Sequence, residues 1–182
     1  DFFVSSVHRR KILRVDKSGV ARDFTTEAQD GLMAVMALGV DAPRRALWAS
    51  TAGVTYITGF RTEDEGRSFV FEYDLQTGKL RRRLGPPAGV TDGHLSDLAV
   101  SPAGDVYVSD PDSGRVYRLG AGDKELRVLV PAGPLGSPQG LALSADGRWL
   151  FVADYTQGIA RVDPRSGAVA LLDPPLDTAL TG

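Results

Sequence analysis

The sequence predicts an all-β fold, a β-propeller with about four four-stranded blades, and three observations predict it. First, nearly the same string recurs: LGVDAPRRALWAS at 38–50, LAVSPAGDVYVSD at 98–110 and LALSADGRWLFVAD at 141–154. Second, the aromatic-plus-small step within it returns at a fixed period. It falls at Phe3-Val4-Ser5, Trp48-Ala49-Ser50, Tyr107-Val108-Ser109 and Phe151-Val152-Ala153, at intervals of 45, 59 and 44 residues. The long interval holds an extra polar stretch, YITGFRTEDEGRS (56–68). Without it the period is about 44 throughout, inside the range of propeller blades. Third, apolar and polar residues alternate between Gly-bearing turns, the pattern of half-buried strands joined by hairpins.

Each unit repeats one plan. An apolar run (Leu98–Val100, Leu141–Leu143) meets a tight turn (SPAGD, SADGR), and a second β-rich run follows (Val106–Ser109, Trp149–Ala153). A polar loop (DPDSG, DYTQG) leads to a third strand (RVYRL, IARVD), and a Gly turn leads to a fourth (LRVLV, VALLD). FVFEYDLQTGKLRRRL supplies the third and fourth strands of the earlier unit. The blades then fall at about 1–30 (lacking a first strand), 32–88 (with an insertion at 51–67), 93–132 and 137–175, in one partial propeller domain over 1–182. An all-β sandwich is the alternative architecture, but three turn positions recur in register, which favours blades. The opening DFFVSSV has no initiator Met and already reads as a strand. The chain is therefore expected to be part of a longer one, a six-bladed ring being preferred. A four-bladed ring closed by LDTAL, within the tail PPLDTALTG, is the other arrangement. Part of a larger ring would leave open edges and exposed apolar faces.

Composition narrows function by exclusion. The net charge is −2, which gives no electrostatic case for nucleic acid or an acidic membrane surface. No stretch approaches the length of a transmembrane helix. The absence of cysteine removes disulfides, thiolate metal sites and a cysteine nucleophile. No signal peptide is visible, and periplasmic and cytoplasmic locations both stay open. There is no Gly-rich phosphate loop in strand–helix context and no Gly-x-Ser-x-Gly elbow.

In a blade the start of the first strand and the end of the second emerge on one face. That face collects Met36-Ala37, Ser96-Asp97 and Gln139-Gly140 near the axis, with His8, the insertion, Asp110–Asp112 and Tyr155–Gln157 around them. Loops converging over a propeller channel are the expected place for a site. Asp97 could hold a hard cation or position a water, or cap backbone amides of the next loop. His94 and His8 are the only histidines, and each could be a general base or an ordinary loop residue. Asp110 and Asp154 end equivalent strands, and their repetition reads as loop capping. Arg81-Arg82-Arg83 and HRRK (8–11) read as solvated faces.

LSDLAVSPAGDVYVSDPDSGRVYRL (95–119) and SPQGLALSADGRWLFVADYTQGIARVD (137–163) resemble the family of senescence marker protein, gluconolactonase and luciferin-regenerating enzyme. FFVSSVHRRKILRVDKSG and RRALWAS look similar to bacterial members of that superfamily. At blade level the likeness is shared with NHL-repeat and strictosidine-synthase-like propellers. The resemblance implies a divalent cation (calcium, zinc or manganese) in the channel, held by a Glu, two Asn and an Asp, and a lactone or ester as substrate. The family's Asn-Asp pair falls on Ser96-Asp97 and its Pro-Asn-Gly on Pro138-Gln139-Gly140, so both ligand asparagines are replaced. The chain has no asparagine at all, and the Glu and the last Asp would lie outside residues 1–182. The implied function is a gluconolactonase-like, metal-assisted hydrolase with an eroded site. Asp97 and His94 would be its catalytic residues, and Asp97, Ser96 and Gln139 its metal ligands. The alternative is a non-catalytic NHL-like propeller that binds a ligand or a protein, with the insertion as part of the recognition rim.

Overall fold

The structure is a computed structural model and describes residues 1–90 and 93–172. Among the described residues fifteen strands form four antiparallel sheets. The first sheet holds β1 (Phe2–Ser6), β2 (Lys11–Val15) and β3 (Ala21–Asp23). The second holds β4 (Ala34–Asp41), β5 (Ala46–Ala52), β6 (Ser68–Asp74) and β7 (Leu80–Leu84). The third holds β8 (Leu98–Val100), β9 (Val106–Asp110), β10 (Arg115–Leu119) and β11 (Arg127–Val130). The fourth holds β12 (Pro138–Leu143), β13 (Leu150–Asp154), β14 (Gly158–Val162) and β15 (Val169–Leu171). Each sheet is a meander in chain order, and β4, β8 and β12 lie side by side as the inner strands. β1 contacts β4 as β9 contacts β12, so the first sheet has the place of a blade, with three strands among the described residues. The tail PPLDTALTG, with LDTAL, lies outside the described residues. No helix among them is long and apolar enough to cross a membrane.

Alternation along the strands builds the cores between sheets. On β9, Val106 and Val108 face the second sheet while Tyr107 faces the fourth. On β10, Tyr117 and Leu119 share the first direction and Val116 the second. This two-residue period lets one strand serve two cores. Ile12, Leu47, Phe71 and Tyr73 fill the gap between the first and second sheets. Each such side chain contributes about 1.5–3 kcal/mol by leaving water. The outward faces at the two ends of the row show the opposite pattern: Phe2 and Val4 on β1, and Ile159 and Leu171 in the fourth sheet, are exposed.

The two similar turns are the same turn. Ser101 and Ser144 each accept a bond from the glycine three residues on, at 2.9 Å. Gly104 and Gly147 have φ of 94° and 68°, the left-handed region that glycine enters freely. A Cβ on Gly104 would meet the Arg44 guanidinium, which would have to move aside. Arg44 donates to the carbonyls of Pro102 (3.3 Å) and Ala103, stapling the second sheet to the third on the face away from the insertion.

Two basic stretches are less solvated than their composition predicts. Arg81 and Arg82 pair with the buried Glu72 at 3.2 and 2.6 Å. Arg82 also lies over the Trp48 ring and donates to the Asp123 carbonyl of the third sheet. Within HRRK, Arg10 donates to the carbonyls of Leu32 (2.8 Å), Thr58 (3.2 Å) and Gly59 (3.3 Å). Strand β5 runs through Ala52, and residues 53–67 connect it to β6. This connection is a packed loop. Ile57 is buried with Met33 and Ala34, and the buried Asp64 accepts bonds from Arg61 at 3.1 and 3.2 Å.

Candidate functional site at the channel face

The inner strands carry one irregularity at the same place. β4 pairs with β5 through a bulge between Val35 and Ala37, and β12 pairs with β13 through a bulge between Pro138 and Gly140. In the third sheet Ser109 bonds both sides of the same step: Ser96 N–H donates to its carbonyl and its own N–H donates to Asp97 O. Met36, Ser96 and Gln139 are therefore equivalent extra residues at the start of three neighbouring inner strands. Bulges re-aim side chains and are common beside sites.

A serine hydroxyl secures each of two neighbouring bulges. Asp97 N–H donates to Ser109 Oγ at 3.0 Å, and that hydroxyl donates to the Gln139 carbonyl at 2.7 Å. One sheet back, Ala37 N–H donates to Ser50 Oγ at 3.1 Å, and Ser50 donates to the Ser96 carbonyl. Both serines are fully buried. Each hydroxyl thus joins the bulge of its own sheet to the bulge of the next. Sequence reading did not single out Ser50 or Ser109, although their shared register with Ser5 was a signal. Ala153 stands at that position in the fourth sheet.

Asp97 spans the same seam. Its Oδ2 accepts the Leu141 N–H of the fourth sheet at 2.7 Å. Asp97 is half-buried, and the amide its carboxylate meets lies within strand β12 rather than in a loop. Ser96 is the residue before it in the chain, and Gln139 lies across the seam, its carbonyl bonded to Ser109 Oγ. Gln139 is exposed, and its side-chain amide donates to Ser137 Oγ at 3.2 Å.

His94 is not joined to Asp97. Its backbone N–H donates to Asp110 Oδ1 at 3.0 Å, and its ring Nδ1 lies 3.8 Å from Asp112 Oδ2. It lines a cleft of about 380 Å³ with Tyr56, Glu65, Arg67, Gly93 and Asp112, between the insertion and the third sheet. His8 is held elsewhere. Its Nδ1 faces the Tyr56 carbonyl at 2.8 Å, so Nδ1 donates and Nε2 is left to accept from Thr58 Oγ1 at 3.3 Å. His8 therefore fastens the insertion to the first sheet. A hollow of similar size, lined by Arg14, Asp16, Arg22 and Gln76, opens on the opposite face and holds none of the site residues.

Asp110 and Asp154 are buried loop caps. Asp110 accepts from His94 N–H, Ser113 N–H and the Tyr117 hydroxyl (3.0 Å). Asp154 accepts from the amides of Gly136, Ser137, Thr156 and Gln157 and from the Thr156 hydroxyl. Burial works against ionisation of Asp154, and the Thr156 hydroxyl and the surrounding amides outweigh it, so its pKa falls below the ordinary carboxylate value.

A divalent cation wants several oxygen ligands, carboxylates above all. Among the described residues no three His, Cys, Asp or Glu side chains converge to hold one. At the bulges Asp97 is the sole carboxylate, one of its oxygens is committed to Leu141, and Ser96 and Gln139 are neutral. The described residues alone do not fit a cation site.

No family model and no curated protein matches the sequence. Solved structures do match in fold. A virginiamycin B lyase from Staphylococcus aureus is 15% identical, with a TM-score of 0.68 over 96% of this chain and 52% of that one. A gluconolactonase from Xanthomonas campestris is 21% identical, with a TM-score of 0.66 over 91% of this chain and 55% of that one. A chain of a nidogen–laminin complex is 15% identical, with a TM-score of 0.67 over 92% of this chain and 59% of that one. The chain thus spans little more than half the length of these proteins. The likeness shows the fold, that of a β-propeller. A gluconolactonase, a lyase and a chain of a nidogen–laminin complex share this fold with it at similar TM-scores.

Proposed function

We propose that the chain supplies part of the channel face of a gluconolactonase-like hydrolase acting on a small lactone or ester. The observation that carries this reading is the placing of Asp97. It stands on a bulge at the channel, one oxygen fixed by Leu141 N–H at 2.7 Å, its main chain fixed by Ser109. A carboxylate so held can orient a water against a carbonyl carbon and take its proton. Water oxygen then bonds the acyl carbon, the acyl C–O bond breaks, and the proton passes to the departing alkoxide. No step is assigned to a metal. Ser96 and Gln139 border the same space and would contact the substrate rather than the reacting atoms.

The test is turnover of a lactone and ester panel by the intact protein, with and without calcium, zinc or manganese, beside Asp97→Asn. Asparagine keeps an oxygen for Leu141 N–H and removes the base. Loss of turnover by about 100-fold or more in the folded variant is the expected result for a general base. Equal turnover in both proteins would reject Asp97 as the base. A second reading is a non-catalytic ligand-binding propeller, and it is favoured by the pairing of the His94 ring with Asp112, 3.8 Å away, which gives Asp97 no partner base. Ligand binding without turnover in the intact protein would establish it.

A further inference from the structure

Three hairpin turns on the face away from the channel share one geometry. Arg45, Gly104 and Gly147 each donate their N–H to the carbonyl three residues back, at 3.1, 2.9 and 2.9 Å, and each has a positive φ. Arg44, Ala103 and Asp146 therefore hold the same place, one residue before the left-handed one. In the second sheet that place reaches across the seam. Arg44, set by both oxygens of Asp41 at 3.2 Å, donates to the carbonyls of Pro102 (3.3 Å) and Ala103 in the next turn. Its guanidinium lies against Gly104, which is buried. The third sheet has Ala103 at that place, and a methyl group does not reach the turn at 144–147. A hollow of about 290 Å³ lies between the two turns instead. A Cβ on Gly147 would have open space around it. The Ala145 and Asp146 carbonyls are the counterparts of those of Pro102 and Ala103, and among the described residues no main-chain N–H donates to them.

We propose that this hollow receives the side chain of an arginine borne by a partner chain, the Ala145 and Asp146 carbonyls holding its guanidinium as those of Pro102 and Ala103 hold Arg44. The walls suit a planar cation. Tyr107 offers an aromatic ring and Asp146 a carboxylate. The Ser144 hydroxyl and the Arg148 N–H fix that carboxylate at 2.6 and 3.0 Å, both on Oδ1, and among the described residues nothing donates to Oδ2. Arg118 does not oppose a second cation, because Asp105 holds it at 3.0 Å. Arg165 at the rim is exposed and can turn to water. A lysine is a single point charge and does not span two carbonyls as the forked guanidinium does. The hollow opens on the face away from Asp97, so this site stands or falls apart from the hydrolase reading.

The test is NMR titration of the intact protein with N-acetyl-L-argininamide and N-acetyl-L-lysinamide, followed at the backbone amides of Gly147 and Arg148. Saturation by the arginine compound is expected, with a dissociation constant of about 1–10 mM, the range open to one charged, hydrogen-bonded side chain. The lysine compound should bind about fivefold more weakly or not at all. Asp146→Asn removes the answering charge and should weaken arginine binding by about fivefold. Ala103→Arg supplies the guanidinium from the chain itself. It should shift the Gly147 amide in the same direction without ligand and abolish the titration, with circular dichroism as the folding control. No saturation at these amides by about 50 mM, an equal response to the lysine compound, or unchanged binding in Ala103→Arg would overturn the proposal.

Discussion

Replacing Ser109 by alanine removes one oxygen from the buried seam between the third and fourth sheets. That oxygen accepts from Asp97 N–H at 3.0 Å and donates to the Gln139 carbonyl at 2.7 Å. Both bonds vanish together, and the two main-chain groups lose a partner that alanine cannot replace. A typical bond contributes about 0.5–1.5 kcal/mol net, and an orphaned buried group costs about 1–3 kcal/mol. Ser109→Ala is therefore expected to destabilise the protein by about 2–3 kcal/mol. For a domain of this size that lowers Tm by about 4–12 °C. Urea unfolding gives the free energy, and amide hydrogen exchange at Asp97 gives the local effect. Exchange at Asp97 should accelerate more than at Val106, which lies on the strand paired with β8. A loss under about 0.5 kcal/mol, the usual scale for an ordinary surface change, would refute the bridging role.

Three further outcomes follow from the same contacts. Ile57→Ala empties the anchor of the insertion and should cost about 2–4 kcal/mol, read by urea unfolding, with early proteolysis within 53–67. Asp154 is depressed in the folded state, so its contribution is complete above its unfolded value and is lost as pH falls through the folded one. Asp154→Asn should flatten the acid limb of a stability–pH curve. Tyr117 runs the other way: burial pushes its hydroxyl up to about 12, so its contribution is present below about pH 10 and is lost as pH rises toward 12. Tyr117→Phe should cost about 1–2 kcal/mol at pH 7 by loss of the bond to Asp110, and should weaken the alkaline fall measured by urea unfolding.

The fold was legible because its signals are local. Alternation in VYVSD and RVYRL, and a glycine at the left-handed position of SPAGD and SADGR, specify strands and turns from a few neighbours. The common face of Ser96, Asp97 and Gln139 followed from the repeat. What those residues touch did not, because it depends on contacts between sheets. Leu141 meets Asp97 across 44 positions of sequence, and Arg10 meets Thr58 across 48. The same distance hid the anchoring of the insertion and the pairing of Arg81 and Arg82 with Glu72. The serine bridges were hidden differently. A serine before a loop is an ordinary sight, and only the bulge opposite Ser50 and Ser109 gives the hydroxyl two partners.

The seam between the second and third sheets is tied at both ends, by Ser50 on the channel face and Arg44 on the other. The seam between the third and fourth sheets has its ties at Asp97 and Ser109 on the channel face, while a hollow of about 290 Å³ separates Tyr107 and Arg118 from Pro164 and Arg165 on the other. The middle of that seam is filled by Tyr107, Val116, Leu150 and Val152, so a change at Asp97 or Ser109 loosens the channel end of the seam while its apolar middle stays packed.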